Sequence, residues 1–276
     1  ENGALRYVPA ESASFATAQG LLIPCEGGES TIVFNSNGGL ESCRVAQPDT
    51  KPFRLASNFY NLKPVSVTFD EQGILKHAVL NSGTESWGTL SGFQVTTAYS
   101  IANWTFYPNG ALKVGDFRET LQFKVQGRDL SVSELIEVYS DGNLARGVLV
   151  ESPTLTVGSK KVTFASSSIL GLYHNGLIKN GAFSKSTEFP IQGKSVSIQG
   201  AWSSRNTLYA PLAGFYQSGH IQYGFLETKT ELKVVMPDTG EIKPMGLDRN
   251  TAICLRMDGL VSAFGLKAYN DEWLCK

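Results

Sequence analysis

The stretch FYPNGALKVG (106–115) decides how this chain is read, because its NGAL core also stands at residues 2–5. An Asn-Gly between apolar residues serves as a tight hairpin turn, as a backbone nest for an anion, or as one copy of a repeat. Alignment on the glycine separates these readings. VFNSNGGLESC (33–43), TFDEQGILKHA (68–78), TFYPNGALKVG (105–115), VYSDGNLARG (138–147), LYHNGLIKNG (172–181), FYQSGHIQYG (215–224) and LRMDGLVSAFG (255–265) share one pattern. Each has an apolar residue four before the glycine and Leu, Ile or Val two after it. Most add a small residue five after it: Cys43, Ala78, Gly115, Gly147, Gly181 and Gly224. The last copy slips, with Gly265 one place late.

Gly38, Gly73, Gly110, Gly142, Gly176, Gly219 and Gly259 lie 35, 37, 32, 34, 43 and 40 residues apart. A recurrence of that length means a solenoid, a propeller or an array. Phosphate-cradling loops open into a helix with 3.6-residue periodicity. Here the following ALKVGDFRETLQFKV has the period-2 texture of a strand. Each copy is therefore a hairpin, and Asn-Gly or Asp-Gly at its tip predicts a type I′ turn. Runs such as TLQFKVQG (120–127), TLTVGSKKVTFA (154–165) and SVSIQGAW (195–202) add one or two further short strands per unit. ESASFATAQG (11–20) and AYNDEWLCK (268–276) are the only segments that suggest short helices or caps.

The expected fold is all-β: about seven hairpin units in an open solenoid or stacked antiparallel sheet, with a seven-bladed propeller as the alternative. No linker-like block interrupts the 276 residues, so they read as one domain: an N-terminal cap (1–30), repeats (31–265) and a C-terminal cap (266–276). The wide interval before Gly219 predicts a loop insertion at 203–212.

The recurring [F/Y]-x-N-G-x-[L/I] core, from about Thr31 to Gly265, resembles the MORN-variant repeats of bacterial proteins, although the period is longer than theirs. The resemblance implies an elongated antiparallel sheet used as a scaffold or binding surface, with no chemistry of its own.

A hairpin alone is only marginally stable, so the units must stack to bury an apolar stripe. Phe34, Phe69, Phe106, Val138, Leu172, Phe215 and Leu255 should line the interior, facing Leu40, Leu75, Leu112, Leu144, Ile178, Ile221 and Val261. Trp104 shares that face. The residue after each stripe position points the other way, and in four consecutive units it is Tyr107, Tyr139, Tyr173 and Tyr216; Asn35, Asp70 and Arg256 stand there in the outer units. Stacked in register, the tyrosines form a column. It reads either as an aromatic platform for a glycan or an extended partner, or as strand-favouring side chains packed under their neighbours.

Cys25 with Cys43 and Cys254 with Cys275 form two terminal pairs. They read as disulfides stapling the ends in an oxidising compartment; the other reading is four reduced thiols. The start at Glu1 points to a processed, exported chain, placed in the periplasm, at the cell surface or outside the cell. A net charge of -1 gives no reason to expect nucleic acid. No apolar run approaches the roughly 20 residues of a membrane span. Asn103-Trp104-Thr105 fits the glycosylation sequon, which the strand pattern explains without sugar.

Chemistry is thinly signposted. His77, His174 and His220 fall at different registers, and none joins a third ligand for a metal. No G-x-S-x-G nucleophile turn occurs. Glu85, Asp116, Glu119, Glu134 and Glu137 offer carboxylates for a glycosidase pair, without a motif. The sequence therefore points to a non-catalytic scaffold with no cofactor or metal, binding a glycan or protein partner. Its rivals are a secreted carbohydrate-active hydrolase and a self-associating structural protein.

Overall fold

The computed structural model describes residues 13–20, 22–27, 32–46, 53–55, 58–60, 64–81, 87–96, 101–201 and 213–266. The fold is all-β, with hairpin strands in a large, mostly antiparallel sheet and further two-stranded hairpins between them. The chain divides into two compact units, Glu1–Leu121 with Ser133–Asn143, and Gln122–Val132 with Leu144–Lys276.

In unit one the main-sheet hairpins are β3 (Ile32–Phe34) with β4 (Leu40–Arg44), and β7 (Pro64–Phe69) with β8 (Leu75–Asn81). Next comes β11 (Ile101–Phe106) with β12 (Leu112–Val125). They pair in the order β3-β4-β7-β8-β11-β12. Between them lie the secondary hairpins β1 (Ala13–Ala16) with β2 (Leu22–Cys25), β5 (Phe53–Leu55) with β6 (Asn58–Tyr60), and β9 (Trp87–Leu90) with β10 (Phe93–Thr96). Strand β13 (Arg128–Val138) and β12 are long enough to serve both units.

Unit two continues with β14 (Leu144–Leu149), then β17 (Ile169–Leu172) with β18 (Ile178–Gly181), β21 (Ala213–Phe215) with β22 (Ile221–Phe225), and β25 (Thr251–Leu255) with β26 (Val261–Leu266). Its secondary hairpins are β15 (Thr154–Val157) with β16 (Lys160–Thr163), β19 (Thr187–Ile191) with β20 (Lys194–Ile198), and β23 (Thr230–Val235) with β24 (Ile242–Leu247). The main order is β14-β17-β18-β21-β22-β25-β26-β23-β24. Within each unit successive repeats thus extend the sheet by hydrogen bonding hairpin to hairpin. A propeller would give each repeat its own radial sheet, so the open arrangement holds and the seven-bladed alternative does not.

Two local expectations are corrected. Residues 13–16 are a strand, not a helix: Phe15 alternates with exposed neighbours and packs 5.4 Å from Phe34. The Asn-Gly turns are also not type I′. In all seven, the glycine N–H donates to the carbonyl three residues back, as Gly110 does to Tyr107 at 2.8 Å. Only the glycine has positive φ, 78° at Gly110. This is a type I turn closed by a glycine bulge, the three-residue hairpin loop. Pro108 makes the choice visible: it suits the second position of a type I turn, whereas flanking a two-residue Asn109-Gly110 loop it would lack the N–H that closes the hairpin. True type I′ pairs of positive φ occur in the secondary hairpins, at Ser91-Gly92, Gln126-Gly127 and Gln192-Gly193.

The interior stripe is as expected, with Phe69, Phe106, Val138, Leu172, Phe215 and Leu255 buried, and Trp104 fully buried; Phe34, in the first described repeat, is half-buried. The small residue five after each glycine makes room for side chains packed over the sheet. A Cβ on Gly181 would lie 2.7 Å from the Phe164 ring, and one on Gly224 would lie 2.8 Å from Ile198. Gly115 is crowded by Trp104 and Phe117, and Gly147 by Val132. In the last repeat Phe264 takes this register opposite Ile253 and is 39% exposed. Residues 203–212 and 268–276 lie outside the described residues, and so do Glu85, Trp202 and Trp273.

Candidate functional site

The tyrosine positions sit at the first residue of each turn, and geometry shows what they hold. Tyr107 Oη donates to the Val138 carbonyl at 2.8 Å, Tyr173 Oη to Phe215 at 2.6 Å, and Tyr216 Oη to Leu255 at 2.7 Å. Each acceptor belongs to the stripe residue of the next repeat. The hydroxyls therefore tie one hairpin to the next, and the rings lie half-buried beside the turns. Burial holds the Tyr107 and Tyr173 phenols above the ordinary tyrosine range. Glu137, Tyr139 and Asp141 add to the effect at Tyr107, as Tyr216 does at Tyr173. Tyr139 occupies the same turn position, its N–H bonded to the Asn143 carbonyl at 2.8 Å.

In the first two described turns the leading residue caps its own loop, while in the Arg256 turn Asp258 Oδ1 accepts from Leu260. Asn35 Oδ1 accepts from the N–H of Asn37 and of Gly39, both at 3.0 Å. Asp70 Oδ1 accepts from Gln72 at 3.0 Å and Ile74 at 2.8 Å. In the tyrosine turns the cap moves to the residue before glycine: Asn109 Oδ1 accepts from Ala111, Asp141 from Asn143, and Asn175 from Leu177.

A second set of ties was not foreseen. The Gln126 amide pairs with the backbone of Thr156, donating to its carbonyl at 2.9 Å and accepting from its N–H at 2.8 Å. Gln192 does the same to Lys233. Two residues on, Arg128 donates to the Thr154 carbonyl and Lys194 to that of Glu231. A Gln-Gly-Arg/Lys tip thus stands in for the strand-to-strand bonds that neighbouring secondary hairpins lack. The repeated Gln-Gly-Arg (126–128) and Gln-Gly-Lys (192–194) were the available signal.

Four of the secondary tips also reach the second main turn after them. Ala18 abuts Gly73, Ser91 Oγ donates to the Gly142 carbonyl, Gly158 touches Gly219, and Gln192 donates to the Gly259 carbonyl.

Cys25 and Cys43 form a disulfide between β2 and β4, both side chains buried. Cys254 is also buried and disulfide-bonded, while Cys275 lies outside the described residues. The histidines are separated by register: His77 faces Thr68 and Thr105 on β8, His174 is exposed at a tip, and exposed His220 pairs through Nδ1 with Ser218 Oγ at 3.0 Å. No group of three metal-ligating side chains occurs among the described residues. Glu119 binds the N–H and hydroxyl of Thr96, fixing the end of β10. Burial holds the Asp116 carboxyl above its ordinary range. No helix among the described residues is long and apolar enough to cross a membrane.

The chain matches no protein-family model, and no curated protein is significantly similar to it.

Proposed function

We infer that the chain is a non-catalytic, exported repeat scaffold that binds a glycan or a protein partner along one face, as its likeness to MORN-variant repeats implies. The observation that carries this reading is the asymmetry of the main-sheet strands. One side is buried by apolar contacts, while register-matched residues such as Thr68, His77 and Thr105 stand on the other. A sheet that leaves one face to solvent has a surface to offer. The disulfide is compatible with an oxidising compartment. Tyr107, Tyr173 and Tyr216 join repeats through their hydroxyls, so the reading rests on the sheet face rather than on the tyrosine column.

The test is a glycan array and a cross-linking screen against surface and secreted proteins. Substitutions on the sheet face, such as Thr105→Arg, should weaken capture, while Lys161→Ala on a secondary hairpin should not. Equal effects from both would sink the reading.

One observation favours the hydrolase as second reading: burial holds the Asp116 carboxyl above its ordinary range, the direction of shift that a general acid requires. Release of reducing sugar that Asp116→Asn abolishes would establish it. Self-association is supported by the exposed Ile242 and Met257, 51% and 60% exposed in the last repeats. Sedimentation velocity over a concentration series tests it, and a constant monomer would exclude it.

A further inference from the structure

The outward residues of unit two's main strands line up. Arg146 is in register with Gly171, Gly171 with Asn180, Asn180 with Gly214, and Gly214 with Tyr223. Five adjacent strands thus contribute one residue each, and at roughly 4.8 Å per strand the row spans about 19 Å. Its inward neighbours Leu170, Leu172, Ile178 and Phe215 are buried in the core.

Two glycines flatten the row. A Cβ on Gly171 would lie 2.4 Å from Asn180 Oδ1, and one on Gly214 would lie 1.9 Å from Tyr223 Cε1. The amide and the phenol ring therefore lie down on the neighbouring strand, each on a backbone that only glycine leaves open. The Asn180 amide makes no hydrogen bond among the described residues, although packing fixes its place. Arg146 and the bulge residue Lys179 are exposed and have no ion-pair partner among the described residues. No acidic residue stands in the row.

We propose that this row, Arg146–Asn180–Tyr223 with Lys179 beside it, binds an acidic carbohydrate chain. The proposal rests on the scaffold reading and names its ligand class. A sugar ring presents an apolar C–H face and a rim of hydroxyls, which suits one flattened aromatic ring beside one fixed amide. Two unpaired cations at the level of that amide match carboxylates on the same chain, and Arg receives a carboxylate through two parallel N–H bonds. A protein partner would call for a cluster of apolar residues at the centre of the patch, and the row has a single ring.

Affinity electrophoresis of the intact, oxidised chain in polygalacturonate, alginate and neutral dextran tests this. Both acidic polymers should retard the wild type and dextran should not, with retardation falling steeply as salt rises from 50 to 500 mM. Arg146→Ala/Lys179→Ala should weaken binding at least tenfold and Asn180→Ala several-fold, with thermal melting unchanged in both. A double variant that binds acidic polymers like the wild type would overturn the row while leaving a glycan-binding scaffold standing. A wild type that neither acidic polymer retards would overturn the acidic-glycan assignment. If the cross-linking screen then captured a protein through the same residues, the scaffold reading would survive with a different partner.

Discussion

The first two described turns and the tyrosine turns solve the same problem in opposite ways. At Asn35 and Asp70 the leading residue folds back and caps its own loop with two short bonds. At Tyr107, Tyr173 and Tyr216 it reaches outward to the next hairpin, and the cap passes to the residue before glycine where that is Asn or Asp. A short polar side chain satisfies local backbone groups, whereas a long rigid one spans to a neighbour. The self-capping region also carries the Cys25–Cys43 bond, a covalent tie between the N-terminal hairpin and the first repeat, where no tyrosine hydroxyl makes one. The comparison teaches that cohesion between repeats is supplied by different chemistry along the array.

The sharpest way to break the contrast is to remove the covalent tie. Cys25→Ser/Cys43→Ser opens a loop of sequence separation 18 and should cost about 3 kcal/mol. Urea unfolding should show the loss in the N-terminal repeats; a midpoint unchanged from the oxidised parent would refute it. Next in size, Asp70→Ala removes two caps and should cost about 1–2 kcal/mol, read by the same titration. Tyr173→Phe keeps the ring and deletes one hydroxyl bond, for about 1 kcal/mol. A loss as large as that of Asp70→Ala would show that the tyrosine tie does more than a single bond.

pH sharpens the same point. The Tyr107 and Tyr173 phenols are held above their ordinary range, so their contribution is complete below the unfolded-state value and is lost as pH rises through the higher folded value. Alkaline melting curves should therefore converge for wild type and Tyr107→Phe/Tyr173→Phe. Curves that stay parallel at every pH would exclude the hydroxyls as the cause. The smallest effect is expected from conversion of one region into the other. Asp70→Tyr alone should destabilise, because Gln72 does not replace the lost cap. Asp70→Tyr/Gln72→Asn, which rebuilds the pattern of Tyr107 and Asn109, should return to within about 0.5 kcal/mol of the parent.

Much of this framework was legible in the residues. The glycine spacing located every main turn, and period-2 alternation assigned the interior stripe and placed Trp104 in the core. The small residues five after glycine marked where side chains press on the sheet, although only the packing shows that Phe164, Val132 and Ile198 are the ones that press. The turn type was misjudged because Asn-Gly suits both loop families, and Pro108 was the residue that excluded one. The tyrosine alignment was visible, but its purpose depends on a carbonyl 31 to 42 residues away, which a one-dimensional pattern does not locate. The Tyr223 row was hidden for a similar reason: it arises from which glycine faces which side chain across strands, and that follows from pairing register rather than from order in the chain.

The Gln-Gly-Arg/Lys tips give the two layers of a repeat different ways to come apart. Main hairpins are joined by backbone ladders, which break only when strands separate. The secondary hairpins touch their neighbours through flexible side-chain amides, so one can open while the ladder beside it stays shut. Amide hydrogen exchange should accordingly resolve into two populations, with Thr156 and Lys233 exchanging well ahead of Leu170 and Gly224. The molecule would loosen one clasp at a time, long before it unfolds.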